Sequence, residues 1–150
     1  MNYEDHAHCF QRLLKEYKEH GKLVIAFDFD NTVYDFHKAG LNLKHARAAI
    51  IQAKSLGHEV YCFTANNDEN FVMEFCKLTL GFIPAINESS IDHLFGTRKP
   101  FYSLLLDDRA GLSSALNLLI QLNEHIINEK TTSNSDSDYI CNGVAYFTSN

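Results

Sequence analysis

The sequence predicts an α/β protein built on a mainly parallel sheet, and three observations carry that prediction. Apolar runs at 23–29, 58–63, 83–86 and 103–106 alternate with longer stretches whose apolar residues recur at helical spacing. Such alternation places helices on both faces of a parallel sheet, because right-handed crossovers carry the chain over it between strands. Three of the runs end in polar residues: Asp28 and Asp30, then Thr64, then Asp107 and Asp108. Strand C-termini are where open α/β sheets put their chemistry. The 150 residues, 45% hydrophobic and 21% charged, suit one domain with a sizeable core.

Each element follows from local pattern. Residues 4–20 are polar except for Phe10, Leu13, Leu14 and Tyr17, a helical stripe that Gly21 stops. The first strand spans 23–29, and 31–42 form an irregular connection ending near Gly40. Residues 43–56 form a helix with Ala46, Ala49, Ile50 and Ala53 on one face and Gly57 as its stop. A second strand, 58–63, leads to a helix over 67–80 with Phe71, Phe75 and Leu78 inward and Gly81 at its end. The third strand is 83–86, followed by a loop over 87–100 with a helical turn at 90–94. The fourth strand is 103–106. The last long helix, 111–128, offers Leu112, Ala115, Leu116, Leu119, Leu122 and Ile126 for burial. Residues 131–138, Thr-Thr-Ser-Asn-Ser-Asp-Ser-Asp, form a polar linker between a domain at 1–130 and a C-terminal segment at 139–150, apolar enough over 139–147 to add a strand.

Composition narrows the function. A net charge of −6, with Arg98-Lys99 the one basic pair noted, lacks the basic stripe that tight non-specific polyanion binding needs. A nucleic-acid end stays among the admissible substrates. No apolar run approaches the roughly 20 residues that span a bilayer, so no membrane role is expected. The N-terminus is polar and acidic, and a cytoplasmic protein is the simplest expectation. The 4 cysteines form no CxxC pair and read as reduced thiols, and none of the 8 histidines has a zinc spacing beside them.

The polar strand ends carry the chemistry. Asp28 and Asp30 are two apart in extended chain and point the same way. Like charges in one crevice repel unless a cation joins them or one holds a proton. With Asp107 and Asp108 converging on the same edge, hard oxygen donors favour Mg²⁺, which joins carboxylates to a substrate phosphate. Taken singly, Asp107, Asp108 and Thr64 would suit helix caps or turns, as would Asn66 and Asn67. Arg109 suits either a substrate contact or a surface ion pair. Jointly, the carboxylates point to a metal, a nucleophile and an acid/base.

The segments Asp28-Phe29-Asp30-Asn31-Thr32-Val33, Val60-Tyr61-Cys62-Phe63-Thr64, Lys99-Pro100 and Leu104-Leu105-Leu106-Asp107-Asp108 together resemble the four motifs of the haloacid dehalogenase (HAD) superfamily, over about residues 23–120. The resemblance implies a three-layer Rossmann-like fold and a Mg²⁺-dependent phosphomonoester hydrolase. Asp28 would be the nucleophile that forms an aspartyl-phosphate. Asp30 would protonate the leaving oxygen and then activate water. The Asp28 side chain, the Asp30 carbonyl and Asp107 would hold Mg²⁺, with Asp108 at or just behind the ion. Thr64 and the amides of Ala65 and Asn66, at the start of the next helix, would bind phosphoryl oxygens. Lys99, with Arg98 as its substitute and Lys77 behind it, would neutralise the developing charge. Lys99 precedes Asp107 by only eight residues, about 26 Å if extended, so that role requires the chain to fold back between Pro100 and Ser103.

The gaps between motifs hold no cap domain, which places the resemblance in the capless subclass. An open site admits the phosphorylated end of a macromolecule, or a phosphorylated small molecule once a neighbouring subunit of a homo-oligomer closes it. Residues 34–41 would form a mobile flap, with Tyr34, Phe36 and His37 either touching substrate or packing within the loop. The alternative is a HAD-fold domain that senses phosphate or binds a partner without turnover. A response-regulator receiver fits poorly, because its acidic pair comes first and its phosphoacceptor, Thr and Lys follow, whereas here the Asp-Asp pair comes last.

Overall fold

The computed structural model describes residues 2–143, with side chains described to Ser135. The chain runs α1 (His6–His20), β1 (Val24–Phe27), α2 (Lys44–Ser55), β2 (Glu59–Cys62), α3 (Glu69–Leu80), a 3₁₀ turn (Asp92–Leu94), β3 (Leu104–Leu106) and α4 (Leu112–Gly143). The three strands form an open parallel sheet in the order β2–β1–β3. In register, Ile25 stands opposite both Val60 and Leu104, and Phe27 opposite both Cys62 and Leu106. The shared register brings the three strand C-termini to one edge.

Turn chemistry sets the entries and exits. Asp5 caps α1 by accepting the Ala7 amide at 2.8 Å. Gly21 ends α1 at φ 74°, a left-handed position that glycine takes without steric cost. Residues 83–86, expected as a strand, reduce to a single bridge between Ile86 and Cys62. Only the Cys62 amide to Ala85 oxygen (2.9 Å) and the Asn87 amide to Cys62 oxygen (2.8 Å) bonds form there. Pro84 has no N–H to extend the ladder.

The pleat divides the sheet into two unequal faces. Leu23, Ile25, Phe27, Val60, Cys62, Leu104 and Leu106 join one core cluster with buried residues from all four helices, Leu13, Ile50, Val72 and Leu119 among them. The other face, Val24, Ala26 and Tyr61, is covered by partly buried Phe63, Ile91, Phe101, Tyr102 and Leu105. Helices were expected on both faces. Among the described residues, all four α-helices feed the first cluster. The crossover from the β2 edge to β3 passes over the second face as a connector with a single 3₁₀ turn. The parallel α/β sheet therefore has one helical layer and one layer of loop.

Two further expectations are corrected. On α3 the buried residues are Val72, Cys76 and Leu80, whereas Leu78 is 78% exposed. Phe75 is partly buried against the core, as expected, whereas Phe71 is 40% exposed; both rings pack edge-on against the core residue Phe29, with centroids 5.4 and 5.9 Å away. Residues 131–138, expected as a linker, continue α4. Thr131, Thr132 and Ser133 donate their hydroxyls to the carbonyls of Ile127, Asn128 and Glu129, each at 2.9 Å. These bonds direct the hydroxyls onto the helix itself instead of into a turn. Residues 139–143 are also helical, and the rest of the strand expected at 139–147 lies outside the described residues. Among the described residues no helix is long and apolar enough to cross a membrane.

Candidate active site

The strand ends are tied together past the last ladder residues. The Asp28 amide donates to Leu106 oxygen and the Phe63 amide to Phe27 oxygen, both at 2.8 Å. Asp28 and the start of the Asp107-Asp108 segment are thereby fixed side by side. Beyond Asp28 the chain makes a tight turn. The Val33 and Tyr34 amides bond Phe29 oxygen, and the Asn31 amide bonds Tyr34 oxygen at 2.6 Å with Asn31 at φ 61°. Asparagine tolerates that left-handed position better than most side chains. The turn holds Asp30 on the same crevice as Asp28.

Asp28, Asp30, Asn31, Phe63, Thr64, Ala65, Asn87, Asp107, Asp108 and Arg109 line a cavity of about 400 Å³ at this edge. Within it, one oxygen each of Asp28, Asp107 and Asp108 lies within 4.8 Å of the other two. Ligand oxygens sit about 2.1 Å from Mg²⁺, so three carboxylates this close suit one such ion after a small adjustment. Burial raises the Asp28 carboxyl to about 7, with further contributions from the charge of Asp107 and a hydrogen bond with Asp108. That rise records chiefly the cost of burying the charge and, after it, repulsion from Asp107, both of which a cation would offset. Asn31 adds a buried Oδ1 with no hydrogen-bond partner, an acceptor that a hydrated cation would satisfy. The donor set therefore fits Mg²⁺. The Asp30 carboxylate is not among the three clustered ones. It receives the Asn66 side-chain amide at 3.5 Å.

Positioning is done by side chains that bond backbone. Thr32, fully buried, accepts the Asp108 amide on its Oγ1 at 3.2 Å. Asp107 Oδ1 accepts the Arg109 amide at 2.8 Å. Asn87, at φ 54°, accepts the Thr64 amide at 2.7 Å and donates to Thr64 oxygen at 2.8 Å. This double bond continues β2 pairing by one side chain and holds Thr64 at the rim. Sequence reasoning missed Asn87 and passed over Thr32. The available signals were an Asn directly after an apolar run and a Thr inside the first motif.

Other expected site residues stand differently. Thr64 and Ala65 line the crevice. The Asn66 amide instead donates to Thr64 Oγ1 at 3.0 Å, and α3 begins only at Glu69 behind its Asp68 cap. The helix N-terminus expected at Ala65 and Asn66 thus lies further along the chain. Lys99 is not among the residues that line this crevice. It lines a separate hollow with Phe95, Thr97, Pro100, Phe101 and Tyr102, its Nζ 5.5 Å from the Tyr102 ring centre. Arg98 lines neither space. Asp92 accepts the Phe101 amide at 2.6 Å, Tyr61 donates its hydroxyl to Phe101 oxygen at 3.0 Å, and the Ser103 amide bonds Val24 oxygen at 2.7 Å. These bonds lead the chain straight into the N-terminal end of β3.

The loop at 34–41 is closed on itself. The Asp35 carboxylate accepts the amides of Ala39, Gly40 and Leu41 at 3.0, 2.8 and 3.2 Å. Tyr34 stacks on Phe29 at 5.2 Å, and no residue of the loop lines the crevice. Comparison with protein-family models, curated proteins and solved structures finds no match for this chain.

Proposed function

We propose that this protein is a Mg²⁺-dependent phosphomonoester hydrolase that works through an aspartyl-phosphate at Asp28. The observation that carries the reading is the convergence of Asp28, Asp107 and Asp108 within 4.8 Å on a crevice that Asp30 and Thr64 also line. The motif resemblance to the HAD superfamily supports it independently of that geometry.

An Asp28 oxygen attacks phosphorus as the bond to the leaving oxygen breaks, and Asp30 gives its proton to that oxygen. Water then attacks the same phosphorus, Asp30 takes the water's proton, and the Asp28–phosphorus bond breaks to release inorganic phosphate. The Asn66 side-chain amide on Asp30 would orient the acid/base, and the hydroxyl of Thr64, which lines the crevice, would meet a phosphoryl oxygen. Mg²⁺, held by Asp28, Asp107 and Asp108, would supply positive charge to the phosphoryl oxygens and to the carboxylates themselves. No inserted domain lies between β1 and β3, so the crevice is open to a phosphorylated small molecule or to the phosphorylated end of a macromolecule. Asp28→Asn is expected to abolish hydrolysis of an aryl phosphate while the far-UV spectrum stays unchanged. Wild-type turnover in that variant would refute the mechanism.

A further inference from the structure

We propose that Arg109 is the cation that binds the phosphoryl group in the carboxylate crevice, and that Lys99 takes no part in the reaction. The inference deepens the phosphatase reading and rests on it. Three carboxylates and a phosphate dianion outweigh one divalent cation, so the crevice needs a further positive charge to hold its substrate. Among the residues that line it, Arg109 alone is cationic.

The side chain of Arg109 is also uncommitted. Among the described residues the ion pairs are Arg12–Glu16, Lys15–Glu19 and His125–Glu129. Arg109 pairs with none of the aspartates around it. Its backbone is the opposite, held by an amide bond to Asp107 Oδ1 at 2.8 Å and preceded by the Asp108 amide bonded to Thr32 at 3.2 Å. The Ala110 amide closes the turn on Asp107 oxygen at 3.0 Å, and Gly111 follows at φ 75°. A fixed backbone that carries an exposed arginine without an ion pair, at a crevice lined by carboxylates, is suited to an incoming anion. The planar fork gives two parallel N–H donors to two non-bridging oxygens, which an ammonium does not. Lys99 is held in its own hollow against Tyr102.

The test compares Arg109→Met, Arg109→Lys and Lys99→Met by two readouts. One is steady-state hydrolysis of an aryl phosphate at saturating Mg²⁺. The other is calorimetric titration of inorganic phosphate into the Mg²⁺-loaded protein, which needs no turnover. Arg109→Met is expected to lower kcat/KM by about 100-fold or more and to weaken phosphate binding by about tenfold. Arg109→Lys should recover part of both, because it keeps charge and loses the fork, and Lys99→Met should stay within about twofold of wild type. Wild-type phosphate affinity in Arg109→Met, or a loss confined to Lys99→Met, overturns the inference. If wild type hydrolyses no phosphate ester, the phosphatase reading fails and the phosphate titration alone decides Arg109. Absence of measurable phosphate binding by wild type then overturns Arg109 as well.

Discussion

Removing the charge of Asp28 should stabilise the metal-free protein at alkaline pH even as it destroys activity. Burial and the neighbouring Asp107 and Asp108 raise the Asp28 carboxyl from 3.8 to about 7. A carboxyl raised on folding contributes stability that is full below its unfolded value and lost as pH rises through its folded one. At 1.36 kcal/mol per pKa unit the span corresponds to about 4 kcal/mol. Asp28 is only partly buried, and solvent screening reduces this to about 1–2 kcal/mol. For a chain of this length that is about 3–6 °C in Tm. Calorimetric melts in a chelator at pH 5 and pH 8 measure it. Wild type should melt lower at pH 8 relative to Asp28→Asn, and the gap should narrow by more than half at pH 5, apart from other titrating groups common to both proteins. Mg²⁺ at about 100 times its Kd should add about 2.7 kcal/mol to wild type and much less to Asp28→Asn. A variant that melts below wild type at pH 8 in chelator, or that gains as much from Mg²⁺, would show that ionised Asp28 does not burden the fold as described.

Two other perturbations probe the frame. His58 is buried, accepts the Leu23 amide on Nδ1 at 3.0 Å, and is lowered by desolvation to about 4, so its ring should stay neutral in an NMR titration until about that pH. Since the unfolded chain takes up the proton first, this site should withdraw about 2–3 kcal/mol of stability as pH falls from 6.5 towards 4. A His58 ring that protonates near 6.5 in the folded protein contradicts this. Thr32→Val removes the acceptor of the Asp108 amide and should cost about 1–2 kcal/mol. It should also lower aryl-phosphate turnover about tenfold through misplacement of the acidic pair, and unchanged kcat in a stably folded variant would remove Thr32 from that role.

The sequence was most legible where one local rule decided the outcome. Ala46, Ala49, Ile50 and Ala53 are the buried face of α2 because that helix meets the core along a single stripe. The carboxylates at the ends of β1 and β3 were legible because neighbouring parallel strands share a register. The course of the Lys99 segment was not, because it depends on a bond from nearby Asp92 and on two from Tyr61 and Val24, which lie far away in sequence. The inner face of α3 was legible only at Phe75, because Phe71 and Leu78 are large and apolar yet exposed while Val72, Cys76 and Leu80 carry the burial. The helical state of 131–138 was hidden because Ser and Thr composition reads as linker until their hydroxyls are seen bonded to the preceding turn.

The connector over the second face of the sheet bears on how this domain could grow. Its tip carries Phe95 at 49% exposure and Gly96 at φ 61°, and it lies where the chain enters β3. Lengthening such a loop is cheap, about 0.6 kcal/mol for each doubling, whereas inserting chain on the helical side would have to displace packed side chains. Added sequence would therefore accumulate at the entry end of the strands, a strand's length from the carboxylates. A graft there would give the domain new surface and new tethers while leaving the crevice free to admit the same ligands.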